Sequence, residues 1–127
     1  SKIEALAKCL DIPLEEAQSL YDDGNYTVLT DEEADEAAKE YITESLWAFN
    51  YSFLCAHSEA IAAIPEKEFT AMQGKLCEGF NTAIKAMIDD LDRFIEDAIR
   101  CDGRGHFMSS YDGEELEEGG FYIYRIN

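Results

Sequence analysis

The run Asp102-Gly103-Arg104-Gly105-His106, followed by Ser109, Ser110, Tyr111 and Asp112, gathers more chemistry-bearing side chains than any other stretch of the chain. An arginine between two glycines can be approached closely by an anion, and a histidine near an aspartate can serve as a general base. The same residues also have a purely structural reading. Asp102 and Gly103 would close a helix, Arg104 would pair with one of many carboxylates, and His106 would open a strand. That structural reading is the expectation, with Arg104, His106 and Asp112 kept as a candidate polar cluster.

Metal chemistry finds less support. Asp112, Glu114, Glu115, Glu117 and Glu118 crowd one segment, and calcium favours oxygen ligands, but the alternating acid order and the glutamate at the twelfth position of a calcium loop are missing. A solvated acidic hairpin tip is expected instead. Cys9, Cys55, Cys77 and Cys101 are spread evenly with only two histidines to join them, which fits neither zinc spacing nor a secreted disulfide framework. They are read as reduced thiols in or near the core. No nucleophile elbow, phosphate-binding loop or dinucleotide fingerprint is present. The expectation is a non-enzymatic protein with no metal and no cofactor.

Charge narrows the partners further. Twenty-eight acids against ten bases give a net charge of -18, so phosphate backbones and anionic lipid surfaces would repel the chain. Residues 1–50 carry thirteen acids and three bases, while residues 51–100 and 101–127 each sit at only -4. Asp31, Glu32, Asp35, Glu36, Glu40 and Glu44 fall in the acid-rich part, on a segment with helical spacing, and Glu114 and Glu115 lie in the C-terminal acidic loop. These eight are the candidate partner-binding residues. Such a field serves either solubility or attraction to a basic surface.

Positioning these groups requires a folded scaffold. Hydrophobic residues form 46% of the chain, too many for a disordered acidic tail. One domain over residues 1–127 is expected, since a chain of this length buries roughly two-thirds of its unfolded surface. The longest apolar stretch is far short of the roughly 20 residues that span a bilayer, and no basic-then-apolar leader opens the sequence, so a soluble intracellular protein is expected.

Residues 2–10 place Ile3, Leu6, Ala7 and Leu10 on one stripe, and Asp11-Ile12-Pro13 breaks that helix before a second begins. The pair has the outline of a helix-turn-helix, but Glu15, Glu16, Asp22 and Asp23 stand where a DNA reader needs cations. Tyr26–Leu29 reads as a short strand, and Thr30-Asp31-Glu32-Glu33 as a capping box that starts a helix running to about Phe49. Ala34, Ala37, Ala38, Tyr41, Ile42 and Leu46 would form its inner face.

Asn50 can cap an apolar helix that ends near Pro65. A third helical pattern covers Glu66 to Arg100, with a break expected near Asp89-Asp90. The tail, with alternating Phe121 to Ile126, would pair with residues 106–110 or with 26–29. The aromatic tract Leu46 to Leu54 is expected to be core, not a binding platform. The fold class is therefore α+β and mainly α: four to six helices over 1–101, with a two- or three-stranded antiparallel sheet built by the C-terminal β element, 102–127.

The segments WAFNYSFL, DGRGHFMSSYDGEE and FYIYRIN resemble a family of small acidic proteins encoded in phage and prophage genomes. The resemblance covers residues 26–127. It implies a phage origin, the bacterial host cytoplasm as location, and no particular reaction. It also implies a class of role, inhibition of a host CRISPR or restriction complex by occupying a basic nucleic-acid groove in the manner of a DNA mimic. Two alternatives stand beside it. One is a small enzyme or ligand-binding protein using Arg104, His106 and Asp112; the other is a phage accessory protein whose charge only keeps it soluble.

Overall fold

Ser1 accepts a hydrogen bond from the amide of Glu4 and opens α1 (Lys2–Leu10), and Asp11 closes it in the left-handed region at φ 54°. Pro13 supplies an extended residue before α2 (Leu14–Asp22). Gly24 at φ 76° turns the chain into β1 (Tyr26–Thr30). The capping box then forms as expected: Glu33 donates its amide to Thr30 Oγ1 at 3.2 Å, and Thr30 donates its own to Glu33 Oε1 at 2.9 Å. From it runs α3 (Asp31–Glu44). The computed structural model describes all 127 residues.

Two compact units divide the chain, residues 1–39 with 102–127, and residues 40–101. The first unit is completed by α9 (Arg104–Met108), β2 (Leu116–Glu118) and β3 (Phe121–Arg125). Its antiparallel sheet has the order β1-β3-β2, with Val28 opposite Ile123 and Thr30 opposite Phe121. Leu6, Ala17, Val28 and Ile123 are fully buried together, and Ile3, Leu10, Ile12 and Phe121 pack around them. Each large aliphatic side chain so enclosed contributes about 1.5–3 kcal/mol over an exposed one.

The expected pairing of the tail with residues 26–29 is present, but residues 106–110 are not a strand. Residues 104–108 form α9 instead. Glu118 pairs with Phe121 across Gly119-Gly120, whose φ angles of 58° and 83° suit a two-residue hairpin of the primed type. That turn delivers 116–118 as the adjacent partner, so no distant segment is needed on that side of β3.

The second unit holds a 3-10 turn at Leu46–Ala48, α4 (Tyr51–Ala56), α5 (Glu59–Ala62), α6 (Glu66–Leu76), a 3-10 turn at Cys77–Phe80, α7 (Asn81–Met87) and α8 (Leu91–Asp102). The architecture is mainly α with a small sheet, but its helices are shorter and more numerous than periodicity suggests. α3 stops at Glu44, not Phe49. There Asn81 Nδ2 donates to the Thr43 carbonyl at 2.7 Å, and the Trp47 amide donates to Asn81 Oδ1 at 3.1 Å, so a distant side chain ends the helix.

The helix expected from Tyr51 to Pro65 is broken at His57-Ser58, where Ser58 caps α5 through the Ile61 amide. Cys77, at φ 49°, breaks the next pattern, and Ile88 to Asp90 separate α7 from α8. Tyr41, expected inside, is 51% exposed. Cys77 and Cys101 are likewise exposed, whereas Cys9 and Cys55 are partly buried. The aromatic tract is core: Phe49, Phe53 and Phe94 contact one another at 5.0–5.6 Å.

Candidate functional site

Gly103, at φ 83°, turns the chain sharply as α8 ends and lets α9 begin one residue later. That reversal carries Arg104 back against the start of α3. Its Nη1 donates to Asp31 Oδ1 and to Asp35 Oδ1, each at 2.8 Å, and its Nε donates to Glu115 Oε1 at 2.7 Å. The guanidinium also lies 4.6 Å above the Tyr122 ring. The side chain is only 10% exposed.

Burial draws the Arg104 pKa down, but the hydrogen bonds to Glu115, Asp31 and Asp35 outweigh it and hold the group more firmly protonated than usual. Tyr124 is fully buried and donates its hydroxyl to Glu115. Burial first, and that acceptor second, push its phenol above the ordinary range. Arg104 is thus a three-way clamp joining α3, α9 and the loop before β2, with its Nε and Nη1 donors committed to the chain's own carboxylates.

The cluster Arg104, His106 and Asp112 does not converge. Asp112 accepts Ser109 Oγ at 2.8 Å and the Glu114 amide at 3.0 Å. Those two bonds, the backbone one foremost, hold its carboxyl below the usual value. His106 is exposed and lies edge-on to the neighbouring Phe107. No hydrogen bond or ion pair joins any two of the three. As expected, Asp102 and Gly103 end a helix and Arg104 meets carboxylates; His106 lies in a helix, not at the start of a strand.

The acidic candidates fall into two groups. Asp31, Asp35 and Glu115 share the Arg104 cation, although Asp31 and Asp35 remain 60% and 66% exposed. Glu32, Glu36, Glu40 and Glu44 are exposed at four-residue intervals on α3 and make no ion pair. Successive members rise about 6 Å along the axis, less than the Debye length of about 8 Å at physiological salt, so their fields add. Glu114 is exposed and contributes only its amide to a bond.

A second polar constellation, in the second unit, was not legible in the sequence. His57, only 8% exposed, places Nε2 2.9 Å from Asp97 Oδ2, and its ring packs on Phe53 and Phe94 at 5.3 and 5.1 Å. Arg100 pairs with the other oxygen of Asp97. The Asp89 amide donates to the His57 carbonyl at 2.9 Å, and Asp89 Oδ2 accepts the Glu59 amide at 3.3 Å. An open depression of about 290 Å³ lies here, lined by His57, Asp89, Asp90, Arg93 and Asp97. The only advance signal was Asp89-Asp90 at a helix break. His57, far in sequence from the Asp97 it meets, gave none.

Comparisons with protein-family models, with curated proteins and with solved structures each return no match to this chain.

Proposed function

We propose that the chain is a non-enzymatic binding protein that presents fixed carboxylates to a basic, nucleic-acid-binding surface of a partner. In the fullest form of the reading it is phage-encoded and acts in the bacterial cytoplasm, where it inhibits a CRISPR or restriction complex by taking the place of DNA. The observation that carries the reading is the row Glu32, Glu36, Glu40 and Glu44: exposed, regularly spaced and making no ion pair, although Lys39 stands on the same helix. The first unit, with seventeen acids and five bases, holds -12 of the net charge. Arg104 neutralises part of that acid, so the binding charge is assigned to the row that α3 carries.

Rigid display matters here because the helix backbone that carries the charges needs no ordering on binding and only the glutamate side chains do, and an opposed basic groove would attract them from a distance. The test is competition: purified CRISPR and restriction nucleases are loaded with labelled DNA and titrated with this protein at low and high salt. Displacement at low salt that weakens as salt rises is expected. Displacement that is unchanged by salt, or that survives replacement of all four glutamates by glutamine, would overturn the reading.

A further inference from the structure

We propose that the depression beside His57 in the second unit binds a small zwitterion, an amino-acid-like molecule carrying one ammonium and one carboxylate. Counting the polar groups that remain uncommitted there leads to this class. Asp97 already has a cationic or N–H partner on each oxygen, His57 on one and Arg100 on the other. Asp89 gives Oδ2 to the Glu59 amide and Asp90 gives Oδ1 to the Arg93 amide, so one oxygen of each is left over. Arg93 is exposed at the rim and its guanidinium makes no ion pair or hydrogen bond, although three aspartates line the same depression.

An unpaired guanidinium fits a carboxylate, bidentately where geometry allows. Two spare aspartate oxygens fit an ammonium, whose three donors they can share. A simple anion would meet the aspartates, and a simple cation would meet Arg93. A molecule carrying both charges satisfies both sides. The volume of about 290 Å³ lies at the lower end of ligand cavities, which restricts the occupant to a small molecule. The walls are firm, since Ser58 Oγ donates to the Met87 carbonyl at 2.6 Å and the Asp89 amide to the His57 carbonyl.

The chain's two histidines provide the assay. His57 lines the depression, whereas His106 lies in the first unit and serves as an internal control. The ring resonances of both are followed by NMR while each of the twenty free α-amino acids is titrated in. The N-acetyl and amide forms of any that bind are then tested.

A saturable shift at His57 and none at His106 is expected, with both blocked forms losing it. Arg93→Ala should weaken binding about tenfold, equivalent to ~1.4 kcal/mol, and its unchanged backbone spectrum would show that the fold is intact. No shift with any amino acid, equal binding by the blocked forms, or full affinity in Arg93→Ala would overturn the proposal. None of these outcomes touches the acidic row of α3.

Discussion

Arg104 Nη1 donates to Asp31 Oδ1 at 2.8 Å across 73 residues of sequence, and so ties the first turn of α3 to the segment that leads into the terminal hairpin. With Asp35 and Glu115 on the same cation, removing it leaves three carboxylates facing one another. A fully buried pair that loses one partner costs roughly 3–5 kcal/mol. Here Asp31 and Asp35 keep most of their exposure, so Arg104→Ala should destabilise by about 2 kcal/mol in denaturant titration. Arg104→Lys should recover less than half of that, because an ammonium is a point charge and cannot reach three acceptors in a fixed fork.

Gly105 is the residue behind that fork. A Cβ placed there would lie 2.6 Å from the Gly113 carbonyl oxygen and 2.8 Å from backbone atoms of Glu114 and Glu115. Backbone cannot rotate away as a flexible side chain can, so Gly105→Ala should cost about 1–3 kcal/mol through forced displacement of the 113–115 loop. Gly74→Ala, where a Cβ meets nothing within 4 Å in α6, should stabilise by about 0.5–1 kcal/mol. Thermal melts of the two variants should therefore move in opposite directions.

Local signals explain what was legible. The Thr30 capping box, the Asn50 cap, Pro65 and the Asp89-Asp90 break act within a few residues of themselves, and each stands where the sequence places it. What was not legible is governed by partners far away in sequence. α3 looks helical to Phe49, but Asn81 takes the backbone groups that would continue it. Residues 106–110 look like a strand, but the Gly119-Gly120 turn supplies β3 with a nearer partner. Among the site residues, acidity was visible and commitment was not. Nothing near Asp31 or Asp35 in sequence distinguishes them from Glu32 or Glu36, and only the fold brings Arg104 to the first two.

Asn81 therefore merits its own variant. Its side chain satisfies the Trp47 amide at 3.1 Å and the Thr43 carbonyl at 2.7 Å. Asn81→Ala leaves both groups without this partner in a partly buried position, and each orphaned group costs about 1–3 kcal/mol. A loss of about 2–3 kcal/mol is expected, with hydrogen exchange accelerated at Trp47 and little changed in β1 and β3. Uniform acceleration would show that Asn81 does not act locally.

Tyr124 and Asp112 are two of the groups through which the stability of the first unit depends on pH. Folding raises the Tyr124 pKa, so its contribution is complete below the ordinary tyrosine value of about 10 and drains away as pH climbs toward the folded value. Asp112 is shifted the other way, downward, so its contribution is present above the ordinary carboxyl value of about 4 and is lost as pH falls below it. Tyr124→Phe should flatten the alkaline fall in stability, and Asp112→Asn the acid one. Urea midpoints measured across the pH range would check both.

The row on α3 separates stability from binding. Like charges at i and i+4 repel, by about 0.2–0.5 kcal/mol per pair, and Glu32, Glu36, Glu40 and Glu44 make three such pairs, none of them held in an ion pair. Replacing all four with glutamine keeps helix propensity nearly constant, so the variant should gain about 1 kcal/mol in stability. The parent protein should gain similarly as salt is raised. If the row engages a basic partner, the same variant must lose affinity while becoming more stable. That opposition is difficult to produce by misfolding, which lowers both. Equal affinity in the stabilised variant would reduce the row to a solubilising surface.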